Sequence, residues 1–288
     1  MNHHTMRQLG NDRLDQVIRD ADAARLFGIS GNQHHSEQTI SDSVSMTIAS
    51  IFRCRWQEAE SRLEYLSQDS GGGLATAALS SLLGRLTGRA GRVKLAYGEN
   101  QFEPDGRKDA SSWAAWTAAT ALGAWLGTDR AEAPAGSHLI HEMCEQARQL
   151  GPEVRDFVCL SLALLARATH DPVLGSFLLG RLSDTTRAML RSLESGTLPH
   201  GTSPASPAAA GLCFLSLGDA ETGRRILLGV VDSPETLRMP LVEGLVDAEM
   251  VRVSSENGED GVARRWSLRT QRFDGVYGCR LPAAIPGN

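Results

Sequence analysis

Apolar residues recur along most of this chain at intervals of three and four, and strict apolar–polar alternation is scarce. That spacing lines up one stripe of a helix rather than one face of a strand. Residues 43–53 carry Val44, Met46, Ile48, Ile51 and Phe52. Residues 56–66 follow after a minimal break, with Trp56, Ala59, Leu63 and Leu66 on one stripe. The same reading predicts helices over 11–27, 74–86, 93–97, 111–126, 137–150, 152–168, 172–193, 208–217, 220–231, 234–250 and 261–270. Gly and Pro fall mostly between these segments. Asn11–Asp12 supply a cap for the first helix, Gly71–Gly73 stop the helix before them, and Pro152 and Pro172 suit first-turn positions. Residues 28–43 and 196–207 read as loops, and the Gly- and Pro-containing stretch 273–288 as a flexible tail or one laid over the last hairpin.

The expected fold is therefore all-α, made of irregular stacked helical hairpins. The polar turn Glu103-Pro104-Asp105-Gly106 suggests a division into an N-terminal helical sub-bundle at 1–100 and a hairpin region at 109–272, unless the two run on as one domain.

Repetition organises the second region. Gly211, three residues before Phe214, is followed by Gly218–Asp219, by Gly223, by the apolar pair Leu227 and Val230, and by Pro234. This segment resembles a tetratricopeptide helical hairpin. Small residues let two helices cross closely, and the apolar stripe needs a neighbouring hairpin to cover it. Residues 54–59 with Leu63 and Leu66 resemble the same turn and second helix, and residues 257–263 and 127–131 resemble it more distantly. Ala59 and Val93 are 34 residues apart, the tetratricopeptide period, whereas Gly218 and Gly258 are 40 apart. The resemblance implies an α-solenoid, or a compact bundle of similar hairpins, that binds a partner. Degenerate repeats of this kind occur in the sensor and scaffold arms of bacterial transcription regulators, although no DNA-binding module is recognisable beside them.

Composition narrows the partner. The net charge of −5 and pI near 5.9 offer no concentrated basic surface, so nucleic acid is not the expected ligand. No apolar run reaches the ~18 residues of a membrane span. Residues 1–12 lack the apolar centre of a secretory signal, and the 5 cysteines are scattered. Both features suit reduced thiols in a cytoplasm.

Candidate chemistry is sparse. His138 and His141 are three apart on one predicted helix, with Glu142 and Cys144 beside them, but no further ligand is spaced to complete a metal set. His170–Asp171 before Pro172 reads as a helix junction, and His200 sits in the central loop. Trp113 and Trp116 share a helix face, which either plugs the core or walls a ligand pocket. No phosphate loop, nucleophile elbow or di-iron pattern is present. The reading that follows is a regulatory interaction protein that needs no cofactor and binds a peptide, a protein partner or a small effector on a concave face. Trp113, Trp116, Phe214 and His200 are its expected contacts. The alternative is a compact all-α enzyme or small-molecule-binding protein of specialised metabolism with a tryptophan-lined pocket.

Overall fold

The computed structural model describes residues 33–68, 73–89, 110–126, 151–182 and 203–282. Those residues form ten helices and no strand, so the all-α expectation holds. In chain order they are α1 (Gln33–Phe52), α2 (Trp56–Gln68), α3 (Gly73–Leu86), α4 (Ala110–Leu126), α5 (Pro152–Thr169), α6 (Pro172–Arg181), α7 (Ala205–Ser216), α8 (Ala220–Val231), α9 (Pro240–Glu256) and α10 (Asp260–Tyr277). A 3₁₀ turn, Pro234–Arg238, precedes α9. The described residues from Thr39 onward belong to one compact unit. The expected helices at 11–27, 93–97 and 137–150 and the expected boundary at 101–108 lie outside the described residues.

Four segments differ from the sequence reading. Residues 33–43 are helical rather than loop. They contain neither Gly nor Pro, so nothing stops the helix that buried Val44, Ile48 and Ile51 anchor. The helix expected at 172–193 ends at Arg181, where the Leu182 N–H caps it by donating to the Leu178 carbonyl; Gly175 and Gly180 weaken it from within. The helix expected at 234–250 breaks at Met239, whose backbone leaves the helical region (φ −133°, ψ 66°). Pro240 imposes that break, because its ring disfavours helical angles at the preceding residue while suiting the first turn of α9. Finally, α10 continues through the expected tail to Tyr277, held by buried Phe273.

One chain reversal recurs. At Gly218 (φ +84°) the Asp219 N–H reaches back to the Phe214 carbonyl at 3.0 Å, and the Gly218 N–H to that of Leu215 at 3.1 Å. This paired 6→1 and 5→2 bonding satisfies carbonyls that a helix end would otherwise orphan. The same pair closes the turns at Cys54, Gly88, His170 and Gly258, all with φ between +52° and +70°. Asp219 and Asp171 then cap the following helices through backbone N–H groups of Thr222 and of Val173 and Leu174.

Within the unit, α2 packs on α3, α3 on α4, α4 on α5, α5 on α7, α7 on α8, α8 on α9 and α9 on α10. Alanines make the closest approaches possible, with Ala114, Ala115, Ala118 and Ala121 of α4 fully buried. In the α7–α8 hairpin a side chain at Gly223 would stand 2.8 Å from the Gly211 carbonyl oxygen, so the two backbones touch there. The final hairpin also returns to the first elements. Trp56 Nε1–H donates to the Tyr277 carbonyl, the Arg280 N–H donates to the Leu86 carbonyl at 2.6 Å, and Cys279 and Leu281 are buried. No described helix is long and apolar enough to cross a membrane.

Candidate functional site

Four separated segments converge on one cleft. Helix α1 finishes with Ala49, Phe52 and the following Arg53, while α5 begins with Pro152, Glu153 and Asp156. Ser203 and Pro204 lead into α7, and Glu235, Arg238 and Met239 come from the 3₁₀ turn and the break after it. Together they enclose about 240 Å³. That is below the size of most drug-like ligand pockets and comparable with a few residues of peptide or one small polar molecule.

The floor is apolar, because Phe52 is buried and packs edge-on to Phe157 with ring centroids 5.8 Å apart. Beside it lies Asp156, 5% exposed. Its Oδ1 accepts the Ser206 hydroxyl at 3.1 Å, and nearby Ser203 directs its own hydroxyl to the Met239 sulfur at 3.5 Å. Burial pushes this carboxyl above its usual range against the two serines and nearby Arg155. Arg53 stands on the α1 side, where burial and neighbouring Arg55 lower its guanidinium from the ordinary value against the pull of Glu58 and Glu153. Arg238 pairs with Glu235 at 3.0 Å on the opposite rim and is well exposed. The cleft thus presents acceptors and guanidinium donors around an aromatic floor.

A second polar cluster is internal. Glu249 of α9 is fully buried and holds three partners from three helices. Arg167 Nε of α5 lies 2.9 Å from Oε1, Arg252 Nη1 lies 3.4 Å from Oε2, and Trp125 Nε1–H of α4 donates to Oε2 at 3.3 Å. Arg167 also pairs with Glu256, and the Arg252 guanidinium lies 5.6 Å from the Trp125 ring centre. Burial raises the Glu249 carboxyl despite the two arginines. Its charges are met by one another, so this cluster positions α4, α5 and α9 rather than meeting a ligand.

No family model, curated protein or solved structure matches the chain. The cleft therefore stands on its own geometry.

The sequence-predicted residues fall elsewhere. Trp116 of α4 and Phe214 of α7 are half-buried and pack against the core, and neither lines the cleft. Trp113 is on α4, but its side chain lies outside the described residues, as do His138, His141 and His200. Trp125 is core. His170 occupies the left-handed turn position after α5, with Nδ1 3.4 Å from Arg167 Nη1. Among the described residues no three His, Cys, Asp or Glu side chains gather as metal ligands.

Sequence reasoning missed Asp156, Arg53, Arg238 and Glu235, because they come from separated segments without a shared motif. One signal was available. Asp156, Arg167, Asp247 and Glu249 interrupt otherwise apolar helical stretches, where a charge must find a partner or a cavity.

Proposed function

We propose that this protein is a non-enzymatic, regulatory interaction protein that takes a short segment of a partner polypeptide into the Phe52–Asp156–Met239 cleft. One observation carries the reading: acceptors and guanidinium donors flank an apolar floor in a space of about 240 Å³. A peptide backbone offers N–H donors and carbonyl acceptors alternately, and an apolar side chain between them. Asp156 and Glu153 suit the first, Arg53 and Arg238 the second, and Phe52 the third. A carboxylate has about four lone-pair sites, so Asp156 retains acceptor capacity beyond Ser206.

The α7–α8 hairpin supports a tetratricopeptide-like description, since Gly211 and Gly223 meet at the helix crossing and Gly218 makes the reversal. The five scattered cysteines favour a cytoplasmic setting.

The test is selection of binders from a random peptide library on the wild-type protein, followed by affinity measurement against Asp156→Asn and Arg53→Gln. Loss of about tenfold or more in either variant is expected, as for a hydrogen bond to a charged group. Peptides that bind both variants as tightly as wild type would place recognition away from the cleft. Failure to select peptides, together with saturable binding of a free zwitterion that Asp156→Asn abolishes, would favour the small-effector reading instead.

A further inference from the structure

Helix α10 packs on α9 and buries Ala263, Ser267, Thr270 and Phe273. Its other side is a line of exposed side chains. Four residues advance a helix by about 400°, so Arg264, Leu268, Arg272 and Val276 follow one another about 40° apart around the surface. Arg265 stands beside them. Leu268 is 59% and Val276 67% exposed, and the three arginines are exposed as well.

The nearby acids are committed elsewhere. Glu243 and Asp247 of α9 both pair with Arg269, whose guanidinium also lies over the Trp266 ring at 5.0 Å. Glu259, just before α10, pairs with Arg224 of α8 at 2.6 Å. Asp274 Oδ1 accepts the Leu281 N–H at 3.3 Å. Among the described residues, Arg264, Arg265 and Arg272 have no ion pair or hydrogen bond, and Asp260, one turn before Arg264, makes none with it. A chain of net charge −5 thus carries one locally basic face with aliphatic side chains set among the arginines.

We propose that this face docks an acidic amphipathic helix of a partner polypeptide, with carboxylates against Arg264, Arg265 and Arg272 and apolar side chains over Leu268 and Val276. A helix surface offers side chains only, because its backbone N–H and C=O groups are spent within it. An extended strand would gain no backbone partner there. A second helix needs none, and residues four apart form ridges that fit its grooves. From Arg264 to Val276 the face is about 18 Å long, which matches about three turns of a partner helix.

Charge argues for a short acidic segment over an extended polyanion. Screening limits a charge's reach to about 8–10 Å, so such a segment meets mainly the three arginines. A bilayer or a nucleic acid also faces the rest of an acidic chain. The rings of α10 that could enter lipid, Trp266, Phe273 and Tyr277, are packed against the core instead. None of the docking residues lines the cleft at Phe52 and Asp156, so this surface is additional to it.

The test presents the full chain with a library of helical, alanine-based peptides four turns long, one face of which is randomised among Glu, Gln, Leu and Ala. Selected binders should carry Glu three or four residues apart beside Leu, and should bind saturably by fluorescence anisotropy at low salt. Arg264→Gln, Arg265→Gln and Arg272→Gln combined should weaken them by about tenfold or more. Leu268→Gln, which leaves the charge unchanged, should weaken them by about fivefold. Both variants change exposed side chains alone. Asp156→Asn should bind these helices as the wild type does, so failure here and failure at the cleft are separate results. The proposal is overturned if no helix is selected, or if selected helices bind the triple variant unchanged. It is also overturned if Leu268→Gln binds as tightly as wild type, because bare charge attraction then suffices. Tighter binding of phosphatidylserine vesicles or duplex DNA than of any selected helix, lost in the triple variant, would overturn it as well.

Discussion

His170 pays for a turn that glycine would make without strain, since its φ of 52° brings Cβ toward the following carbonyl. Its side chain is exposed and touches only Arg167 at 3.4 Å. His170→Gly should therefore stabilise the protein by about 1 kcal/mol, read from urea unfolding at unchanged slope. A lower midpoint would mean that the Arg167 contact outweighs the strain. Asp247 makes a different residue-scale statement. Only 2% exposed, with Oδ1 lacking any hydrogen-bond partner and Oδ2 3.1 Å from Arg269 Nε, it is raised by burial from 3.8 to about 6. The unfolded chain thus loses this proton at lower pH than the folded one. Between those values the folded state holds more protons, so the Asp247 contribution falls as pH rises. The loss is complete above pH 6 and amounts to at most about 3 kcal/mol. Asp247→Asn should flatten the slope of stability against pH between 4 and 6. An unchanged slope would show that Asp247 is already ionised in the folded protein.

At the scale of elements, the sequence made the helices legible where apolar spacing decided the matter. Residues 220–231 and 152–168 illustrate this, since Ile226, Leu227 and Val230 or Val154, Phe157 and Val158 have one side on which to be buried. It misjudged the helices decided by a single backbone event. Pro240 breaks what periodicity joins, and the absence of Gly or Pro in 33–43 joins what polarity separates. Buried charges also act between elements. Arg167 of α5 holds Glu249 of α9, and Trp125 of α4 shares that carboxylate. Arg167→Ala removes the closer of the two arginines from a fully buried Glu249, for a cost of about 3 kcal/mol. Arg167→Ala with Glu249→Leu should recover part of that loss, because the buried charge is gone while the Trp125 indole N–H loses its acceptor. If the double variant is as unstable as the single, the cost lies in packing and not in charge.

Over the described residues from Thr39 onward, contacts do not simply pass from each hairpin to the next. Tyr277 and Arg280 reach back to Trp56 and Leu86. Ending the chain after Gly278 removes buried Cys279 and Leu281 and the Leu86 hydrogen bond, and should cost about 2–4 kcal/mol. Amide exchange should then quicken at the end of α3 as well as in α10; exchange confined to α10 would show that the segment braces nothing else. The cleft was illegible in sequence for the same long-range reason. Arg53, Asp156, Ser203 and Arg238 become neighbours only when α1, α5, α7 and the 3₁₀ turn are packed, and each alone reads as an ordinary polar residue near a helix end. The most direct test of its role is hydrogen–deuterium exchange of the protein with and without a selected peptide. Slowed exchange at residues 52–53, 153–156, 203–206 and 235–239, and its absence in Asp156→Asn, is the expected result. Slowed exchange confined to α8 and α10 would contradict the assignment of this cleft as the binding site.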